Sequence, residues 1–294
     1  RDRSPSRGLG DVYKRQVLLA FGTLCSNAQK EKKGTIYLVS DAHFDTQWLW
    51  DVQTSIDVYL KNTLTQNLYL LKRYPEFIFN FEGGIKYAWM KEYYPREYAK
   101  VNEYVRSGRW HVSGASWDAT DTNIPSTESF FRNILLGQQF YKNEFGIKST
   151  DIFLPDCFGF GYTLPTIASH CGLIGFSTQK LGWRLKPFYG DSKIPFRYGI
   201  WEGVDGSEIL AVTDARGYTK KFHDGDVSIN KELIEVVENS PNNKGYHYFG
   251  TGDRGGAPTI ATVESITEGI LDGKGPINVC LLYTSPSPRD GLLS

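Results

Sequence analysis

The sequence predicts an α/β fold in which parallel β-strands alternate with α-helices. Two observations lead to this prediction. Short runs rich in β-branched and aliphatic residues recur along the chain, and longer stretches with apolar residues at helical spacing separate them. A chain that alternates in this way builds βα units, which assemble into a parallel sheet or a barrel. The 294 residues suffice for one large domain or two small ones.

The first predicted strand covers Thr35–Ser40 and contains only β-branched, aliphatic, aromatic and hydroxyl side chains. Such a run is typical of a strand that is buried on both faces of a parallel sheet. Similar short runs predict further strands at Phe77–Phe81, Arg109–Ser113, Asp151–Leu154, Gly175–Thr178, Ile209–Thr213, Tyr246–Phe249 and Ile277–Val279.

Helical spacing fills most of the gaps between these strands. The first such segment is Thr54–Arg73, with apolar side chains every three or four residues. The second, Ile85–Ser107, is interrupted at Pro95, because proline has no N–H for the helical hydrogen bond. Two further helices are predicted at Ser126–Phe145, closed by Gly146, and at Leu164–Cys171, stopped by Gly172.

Composition excludes several classes of protein. The formal net charge is zero and no basic cluster is present, which argues against nucleic-acid binding. Four cysteines without a C-x-x-C pair argue against a disulfide scaffold or a structural zinc finger. No apolar run reaches the roughly 18 residues that a membrane-spanning helix needs. Seven tryptophans and eighteen tyrosines are common in carbohydrate-active proteins, although an aromatic core explains them equally well.

The two ends of the chain differ in character from the rest. Residues 1–16 are polar and basic, and residues 280–294 repeat their Ser-Pro-Ser and Arg-Asp features. Both resemble translated adaptor sequence, with disordered linkers as the alternative. Residues 17–30 have the short apolar stretch and small residues of a signal peptide that has lost its charged start, or else form a buried strand or helix. We therefore expect an exported protein, periplasmic or secreted, whose folded domain covers residues 31–279.

His43 and Asp45 directly follow the first predicted strand. Side chains two residues apart on extended backbone point to the same side, so the imidazole and the carboxylate converge as two ligands for a divalent cation. The carboxyl ends of parallel strands are where α/β sheets and barrels keep their chemistry. The alternative is that both residues only cap the next helix. Trp48 and Trp50 follow, and their rings suit the apolar face of a sugar.

Further acidic residues also lie just past predicted strands. Asp121 follows the third strand, Asp156 the fourth and Asp253 the seventh. Carboxylates that gather at one end of the strands repel one another unless a cation or hydrogen-bond donors neutralise them. A metal ion held by His43, Asp45 and Asp156 would neutralise this repulsion with a single group. A mixed set of imidazole and carboxylate ligands suits zinc with an open position better than it suits calcium.

Asp156 and Asp253 both lie in loops that contain glycine. In Leu-Pro-Asp-Cys-Phe-Gly-Phe-Gly, proline ends the strand and glycines let the backbone pass close to a ligand, although an ordinary turn explains this peptide as well. The loop of Asp253, Gly-Thr-Gly-Asp-Arg-Gly-Gly, has neither of the spacings typical of phosphate loops. It fits better as a flexible turn that brings an acid to a substrate.

These peptides, taken together, resemble a known family. His43-Phe-Asp45-Thr-Gln-Trp48-Leu-Trp50 is similar to the H-x-D-x-x-W-L-W opening of the retaining α-mannosidases of glycoside hydrolase family 38. The similarity continues in order through Gly108-Arg109-Trp110, Trp117-x-x-x-Asp121-x-Asn123-x-Pro125-x-x-Glu128-Ser129, Leu154-Pro155-Asp156-x-Phe158-Gly159, Thr178-Gln179-Lys180-Leu181-x-Trp183 and a Gly-Asp-Gly-rich segment around Asp253.

The resemblance implies a seven-stranded parallel βα barrel as an N-terminal catalytic domain, here incomplete at its C-terminal side. It implies one zinc ion bound by His43, Asp45 and Asp156, with a fourth ligand, a histidine, expected beyond residue 279. Asp156 is then the nucleophile and Asp253 the acid/base of a retaining reaction on a mannose-containing oligosaccharide or glycan.

Four further residues have roles that the resemblance implies less directly. Trp48 or Trp50 would form the stacking wall of the sugar site. Asp121 and Asn123 would bind sugar hydroxyls or brace their loop, and bracing is expected for at least one of them.

Two other functions remain compatible with the sequence. A zinc-dependent polysaccharide deacetylase also places aspartate and histidine ligands in a βα barrel, but its metal activates water and no glycosyl-enzyme forms. A non-catalytic glycan-binding remnant is the second alternative, since a metal ligand and further domains are missing from this chain. The Gly-Asp-Arg-Gly-Gly loop favours the glycosidase over the deacetylase.

Overall fold

The computed structural model describes residues 34–182, 194, 196–223, 225–240 and 242–282. The predicted terminal segments 1–16 and 17–30 lie outside the described residues. Trp183 and residues 283–294, most of the predicted segment 280–294, also lie outside them. No helix in the described part of the chain is long and apolar enough to cross a membrane.

Strands and helices alternate along the described residues, as the sequence predicts. The strands are β1 (Gly34–Ala42), β2 (Phe79–Glu82), β3 (Trp110–Ser113), β4 (Asp151–Phe153), β5 (Gly175–Ser177), β6 (Tyr198–Glu202), β7 (Glu208–Val212), β8 (Lys244–Thr251) and β9 (Ile277–Leu281). The helices are α1 (Val52–Thr54), α2 (Lys61–Arg73), α3 (Gly84–Tyr93), α4 (Pro95–Arg106), α5 (Thr127–Phe145), α6 (Leu164–His170), α7 (Lys231–Glu238) and α8 (Ile260–Leu271). The α/β class is therefore confirmed.

The strands do not form the closed seven-stranded barrel that the family resemblance implies. Within the described residues they fall into three sheets, with the orders β8-β1-β9, β2-β3 and β4-β5-β7-β6. Every paired strand is parallel to its neighbour except β6, which runs antiparallel to β7. Parallel strands are thus present as predicted, but no continuous ladder joins the three sheets within the described residues.

Isolated hydrogen bonds, rather than ladders, connect neighbouring sheets. The Ser40 hydroxyl of β1 donates to the carbonyl of Ile78, just before β2, at 2.6 Å. The Ala115 amide, just after β3, donates to the carbonyl of Asp151 in β4 at 2.9 Å. Both β4 and β5 have only three residues, which leaves little edge for a ladder to cross the gaps.

One antiparallel strand, β6, was absent from the sequence prediction. It pairs with β7 through a tight connection in which the Gly203 amide donates to the Ser207 carbonyl at 2.7 Å. Gly206 takes a positive φ of 79° there. The dipeptide Asp205-Gly206 is a known hairpin signal and could have identified this strand pair.

The segment predicted as one helix over Thr54–Arg73 has three parts. A π-helical stretch, Ser55–Leu60, lies between α1 and α2. The Ser55 hydroxyl in this stretch donates to the carbonyl of Thr46 at 2.8 Å, so the wider turn is fixed to the loop after β1. Such π-helical turns often occur at functional sites. The predicted break at Pro95 is confirmed, since α3 ends at Tyr93 and α4 starts at Pro95.

Apolar side chains from different sheets pack against one another. Val39 of β1, Phe153 of β4, Val212 of β7 and Tyr248 of β8 belong to one buried cluster. Each is at most 2 % exposed. Burial of a side chain of this size contributes about 1.5–3 kcal/mol to stability. The sheets therefore face a shared interior even though no continuous ladder joins them.

We expect Gly137→Ala, in α5, to destabilise the protein. An added Cβ would lie 2.2 Å from the Ala115 carbonyl oxygen and 2.4 Å from the Ser116 carbonyl carbon. Overpacking of this kind costs about 1–3 kcal/mol, although alanine in a free helix position is favoured over glycine by about 1 kcal/mol. The thermal midpoint should therefore fall, measured by circular dichroism. Gln139→Ala, on the exposed side of α5, is the control and should change little.

Candidate active site

Most residues predicted to carry the chemistry lie at the carboxyl ends of parallel strands. His43 and Asp45 follow β1, Asp156 follows β4 and Asp253 follows β8. Glu82, which the sequence analysis did not single out, ends β2. These strand ends meet on one side of the fold, since Asp45, Asp156 and Asp253 line one cavity and Glu82 contacts His43. The structure therefore brings together His43, Asp45, Asp156 and Asp253.

A cavity of about 700 Å³ opens at this side of the fold. A cavity of this volume is within the range of small-molecule sites. Its lining is mostly polar or aromatic and consists of Asp45, Gln47, Trp48, Asp156, Phe158, Gln179, Lys180, Asp214, Arg216, Gly217, Tyr218, Thr219 and Asp253.

His43 is buried beneath this cavity between two carboxylates. Its Nδ1 lies 3.0 Å from Glu82 Oε1, and its Nε2 lies 3.7 Å from Asp45 Oδ1. The second distance is too long for a hydrogen bond, and Nε2 has no hydrogen-bond partner among the described residues. Burial alone would lower the pKa of His43, but Asp45 and Glu82 outweigh it and raise the pKa to about 9. The two neighbouring carboxylates therefore attract positive charge to this ring, which either a second proton or a cation bound in place of that proton can supply.

Asp156 and Asp253 meet at the hydroxyl of Tyr218. The Tyr218 oxygen lies 3.2 Å from Asp156 Oδ2 and 3.1 Å from Asp253 Oδ1. Two oxygens within hydrogen-bond distance of one hydroxyl are at most about 6 Å apart. Retaining glycosidases hold their carboxyl groups about 5–5.5 Å apart, and inverting enzymes about 6.5–9.5 Å. The spacing of Asp156 and Asp253 is thus compatible with a retaining pair.

The loop of Asp253 is fixed to the segment of His43 by backbone hydrogen bonds. The Asp45 amide donates to the Asp253 carbonyl at 3.1 Å, and the Gly255 amide donates to the His43 carbonyl at 3.2 Å. Asp253 has a positive φ of 60°, which is uncommon for a residue other than glycine. Strained backbone of this kind clusters at functional sites.

Tyr218 determines which residue can occupy position 252. A Cβ added to Gly252 would lie 1.6 Å from the Tyr218 ring. Tyr218 itself is only 6 % exposed. Glycine at position 252 therefore lets the loop pass directly over the tyrosine and bring Asp253 to its hydroxyl.

Lys180 is a site residue that the sequence analysis quoted but to which it assigned no role. Its ammonium contacts Asp156 Oδ1, and its side chain is 6 % exposed. The Lys180 Nζ also lies 4.4 Å from the centre of the Phe158 ring. Burial lowers the pKa of Lys180 to about 8, although Asp253 and Asp45 act in the opposite direction. The sequence signal for Lys180 at the active site is its position just after β5.

The two predicted stacking tryptophans have different surroundings. Trp48 lines the cavity and is 58 % exposed, so its ring is open to a ligand. Trp50 does not line the cavity. Its indole N–H donates to the Ser55 hydroxyl at 2.8 Å, and its ring packs edge-on against Tyr59. The stacking wall is therefore available from Trp48, and Trp50 supports the π-helical stretch.

Asp121 and Asn123 also lie in different environments. Asp121 lines a smaller cavity of about 170 Å³, and its Oδ1 accepts from the amides of Asn123 and Ile124 at 2.7 and 3.2 Å. Asn123 packs against Gly159, where an added Cβ would lie 2.5 Å from its side-chain nitrogen. Asp121 therefore braces its own loop and borders a cavity, whereas the exposed Asn123 lies against Gly159.

The predicted metal ligands are close but not assembled around one point. No group of three His, Cys, Asp or Glu side chains in the described part of the chain is placed to hold a metal ion. Asp156 is engaged by Lys180 and Tyr218 instead. His43, Asp45 and Asp156 nevertheless border the same 170 Å³ cavity. The partnerless His43 Nε2 and the mixed imidazole–carboxylate donors fit a zinc ion.

The comparisons with known proteins decide between the families that such a site allows. The model of the Glycosyl hydrolases family 38 N-terminal domain matches residues 33–285. The chain belongs to this family. The family resemblance inferred from the motifs is thus confirmed, and the match includes every residue of the site described above.

Curated relatives agree with this assignment, and a solved structure shares the fold. Alpha-mannosidase G of Dictyostelium discoideum is 35 % identical over 264 residues, covering 87 % of this chain and 23 % of that protein. Human alpha-mannosidase 2C1 is 34 % identical over 244 residues, covering 80 % and 22 % respectively. The crystal structure of an alpha-mannosidase from Enterococcus faecalis V583 superposes with a TM-score of 0.68 at 18 % identity, covering 88 % and 29 %. The chain therefore spans less than a quarter of the length of these two relatives.

Proposed function

We propose that the full-length protein carrying this chain is a retaining α-mannosidase that removes terminal α-linked mannose from mannose-containing glycans. The observation that carries the proposal is the pair Asp156 and Asp253, held around one tyrosine hydroxyl at the edge of a cavity. Membership of family 38, with relatives named alpha-mannosidases, supports mannose as the sugar.

In the first half of the reaction, a carboxylate oxygen of Asp156 attacks the anomeric carbon. The bond to the leaving oxygen breaks, Asp253 donates its proton to that oxygen, and an ester joins Asp156 to the sugar. In the second half, Asp253 takes a proton from water. The water oxygen attacks the anomeric carbon, the ester breaks and the Asp156 carboxylate is restored. Two inversions at one carbon give net retention.

Different contacts of the two carboxyl groups support this division of roles. The Tyr218 hydroxyl lies within donating distance of both Asp156 and Asp253, so it does not distinguish them. The Lys180 ammonium contacts Asp156 Oδ1, and an adjacent cation favours the ionised form of a carboxyl group. An ionised Asp156 is the form that a nucleophile needs in the first half of the reaction.

We propose that His43, Asp45 and Asp156 hold a zinc ion, together with a histidine expected beyond residue 279. The unpartnered His43 Nε2 supports this assignment, as does the shared cavity of the three side chains. When bound, zinc would supply Lewis acidity to adjacent sugar hydroxyls and positive charge beside the nucleophile. Lys180, which engages Asp156 in this structure, would then share the charge of that carboxylate with the metal.

We also infer that the seven strands β1, β2, β3, β4, β5, β7 and β8 follow one another as an interrupted ring. The gap between the last two is bridged where the Tyr248 amide of β8 donates to the carbonyl of Ala215, just past β7, at 2.8 Å. Side chains of four of these strands pack in one buried cluster, which supports a common interior. Such a ring would place the site residues together at the carboxyl end of its strands.

The proposal is tested with an aryl α-mannoside that has a good leaving group. The full-length protein should release the aryl alcohol, and the first-formed sugar product should be α-mannose by NMR. Overnight incubation with a chelator should reduce the rate, and added zinc should restore it. Hydrolysis of an acetylated amino-sugar oligomer without any mannoside turnover would instead identify a deacetylase and refute the mannosidase.

His43→Ala is expected to lower the zinc content of the purified full-length protein. Removal of one ligand leaves a site with a lower affinity and a changed geometry. Elemental analysis after gel filtration should give close to one zinc per wild-type chain and much less in the variant. His170→Ala, which changes an exposed histidine paired with Asp205, is the control and should keep the wild-type content. Equal zinc content in all three proteins would contradict ligation by His43.

Tyr218→Phe is expected to lower kcat by about 100-fold, the typical loss when a single hydrogen-bond donor is removed from an active site. Without the hydroxyl, the hydrogen-bond bridge between the Asp156 and Asp253 carboxyl groups is lost. The KM for an aryl mannoside should change far less, because the ring of Tyr218 remains. Tyr69→Phe, on the surface of α2, is the control. An unchanged kcat in Tyr218→Phe would show that the bridge is unimportant.

A further inference from the structure

A buried ionic pair lies at the ring nitrogen of His43 that points away from Asp45. Glu82, the last residue of β2, is 2 % exposed, and Lys86, in the first turn of α3, is completely buried. The Lys86 ammonium donates to Glu82 Oε1 at 2.6 Å, and His43 Nδ1 lies 3.0 Å from the same oxygen. One carboxylate oxygen therefore serves both the lysine and the histidine.

The pair is rigidly enclosed. The Lys86 Nζ lies 4.7 Å from the centre of the Phe44 ring and 5.5 Å from that of Phe81. These distances are typical of cation–π contacts, which hold an ammonium group in place where water is absent. Phe44 directly follows His43 in the chain, and Phe81 directly precedes Glu82. Lys86 thus packs against the chain neighbours of His43 and Glu82.

We propose that Glu82 and Lys86 form a positioning pair that fixes the orientation and the tautomer of His43, so that its Nε2 is presented to the zinc ion. This inference rests on the metal site of the proposed function. Neither Glu82 nor Lys86 lines the cavity. Both therefore act through His43 rather than on the substrate.

The hydrogen-bond chemistry of the three groups leads to this role. An ionised carboxylate can only accept, so the hydrogen between His43 and Glu82 belongs to Nδ1. A neutral imidazole has one N–H, so a hydrogen fixed on Nδ1 leaves the lone pair on Nε2. That atom has no hydrogen-bond partner among the described residues and lies on the Asp45 side of the ring. Lys86 holds Glu82 Oε1 in place for this contact, because its ammonium donates to the same oxygen at 2.6 Å.

A purely structural role for the pair predicts a different outcome. If Glu82 and Lys86 only fill the interior, replacing both with apolar residues of similar length should leave metal binding unchanged. Replacing a buried ion pair as a unit is often neutral or stabilising, whereas removing one partner leaves an unpaired charge. The double variant Glu82→Met/Lys86→Met is therefore the informative change, and it should fold.

The test measures zinc affinity in the full-length protein by competition with a chromogenic chelator. The double variant should bind zinc about 10- to 100-fold more weakly, the usual effect of losing the outer partner of a histidine ligand. The absorption bands of the cobalt-substituted protein should also shift, because the histidine ligand is no longer held in one orientation. Glu82→Gln keeps an acceptor for Nδ1 but removes the negative charge, so this variant should bind zinc about tenfold more weakly than the wild type.

Ser149→Ala is the matched control. It removes a buried hydrogen bond of similar depth, from the Ser149 hydroxyl to Asp151 Oδ1 at 2.9 Å, and should keep wild-type affinity. If the double variant folds and binds zinc like the wild type, the positioning role is refuted. If it does not fold, wild-type affinity in Glu82→Gln refutes it. A wild-type protein that binds no zinc refutes the metal site of the proposed function, and the positioning role with it.

Discussion

Asp156→Ala is expected to reduce the kcat of the full-length enzyme by about five orders of magnitude, comparable to removal of a nucleophile from other covalent hydrolases. The loss is this large because no glycosyl-enzyme ester can form and no other described carboxylate shares the Tyr218 hydroxyl with Asp253. Steady-state hydrolysis of an aryl mannoside measures it. Asp57→Ala, on the exposed side of the π-helical stretch, is the control.

Rescue of the glycine variant separates a nucleophile from a residue that only supports the site. Asp156→Gly leaves space at the anomeric carbon, so azide should attack from the vacated face and yield a mannosyl azide of inverted configuration. A fluorinated mannoside that forms a stable ester should label the wild-type enzyme at Asp156, detected by mass spectrometry of the peptides. Absence of both rescue and labelling would rule out the nucleophile role of Asp156.

A structural complication accompanies this prediction. Asp156 is the ion-pair partner of Lys180, whose side chain is almost completely buried. Removal of the carboxylate leaves that buried charge with less compensation, which destabilises a protein. Thermal unfolding of Asp156→Ala must therefore be measured together with its activity. If Asp156→Ala is folded and inactive, the result supports a chemical role for Asp156. If it is unfolded, the activity should be measured with Asp156→Asn instead.

Asp253→Ala is expected to produce the second large effect, with a size that depends on the leaving group. A mannoside whose leaving group needs no proton should form the glycosyl-enzyme at close to the wild-type rate. A mannoside with an alkyl or sugar leaving group should react about 100- to 10,000-fold more slowly, the range that general acid catalysis contributes. Rapid kinetics with both substrates would show the difference.

The second half of the reaction gives an independent check on Asp253. Without its base, water attacks the ester slowly, so the glycosyl-enzyme should accumulate and added azide should release it with retained configuration. Asp214→Ala changes another carboxylate of the cavity lining and serves as the control. Equal rate losses for good and poor leaving groups would contradict a role for Asp253 in proton transfer.

The parts of the site that follow local patterns were predictable from the sequence. The alternation of side chains along extended backbone placed His43 and Asp45 on one side, and they lie 3.7 Å apart. Glycines and a strand end located Asp253. The break at Pro95 followed from proline chemistry alone. Each of these predictions needed only the residues adjacent in the chain.

The supporting groups depended on contacts between distant segments. Tyr218 reaches Asp156 and Asp253 from a loop after β7, and Glu82 reaches His43 from β2. No local spacing signals that a tyrosine or a glutamate will be buried against a particular partner. Local patterns also do not indicate whether the strands close into one ladder, because closure depends on register between strands that are far apart in sequence.

The backbone bonds between the Asp253 loop and the His43 segment restrict how this protein can be redesigned. Exchanging residues 252–256 for a longer loop from another glycosidase, in order to accept a bulkier aglycone, would remove the carbonyl and amide that hold Asp45 and His43. The proposed metal ligands and the loop of the proposed acid/base residue are thus joined through the main chain. A library that diversifies the loop should keep the main-chain path at 253 and 255 and vary only the side chain at 254.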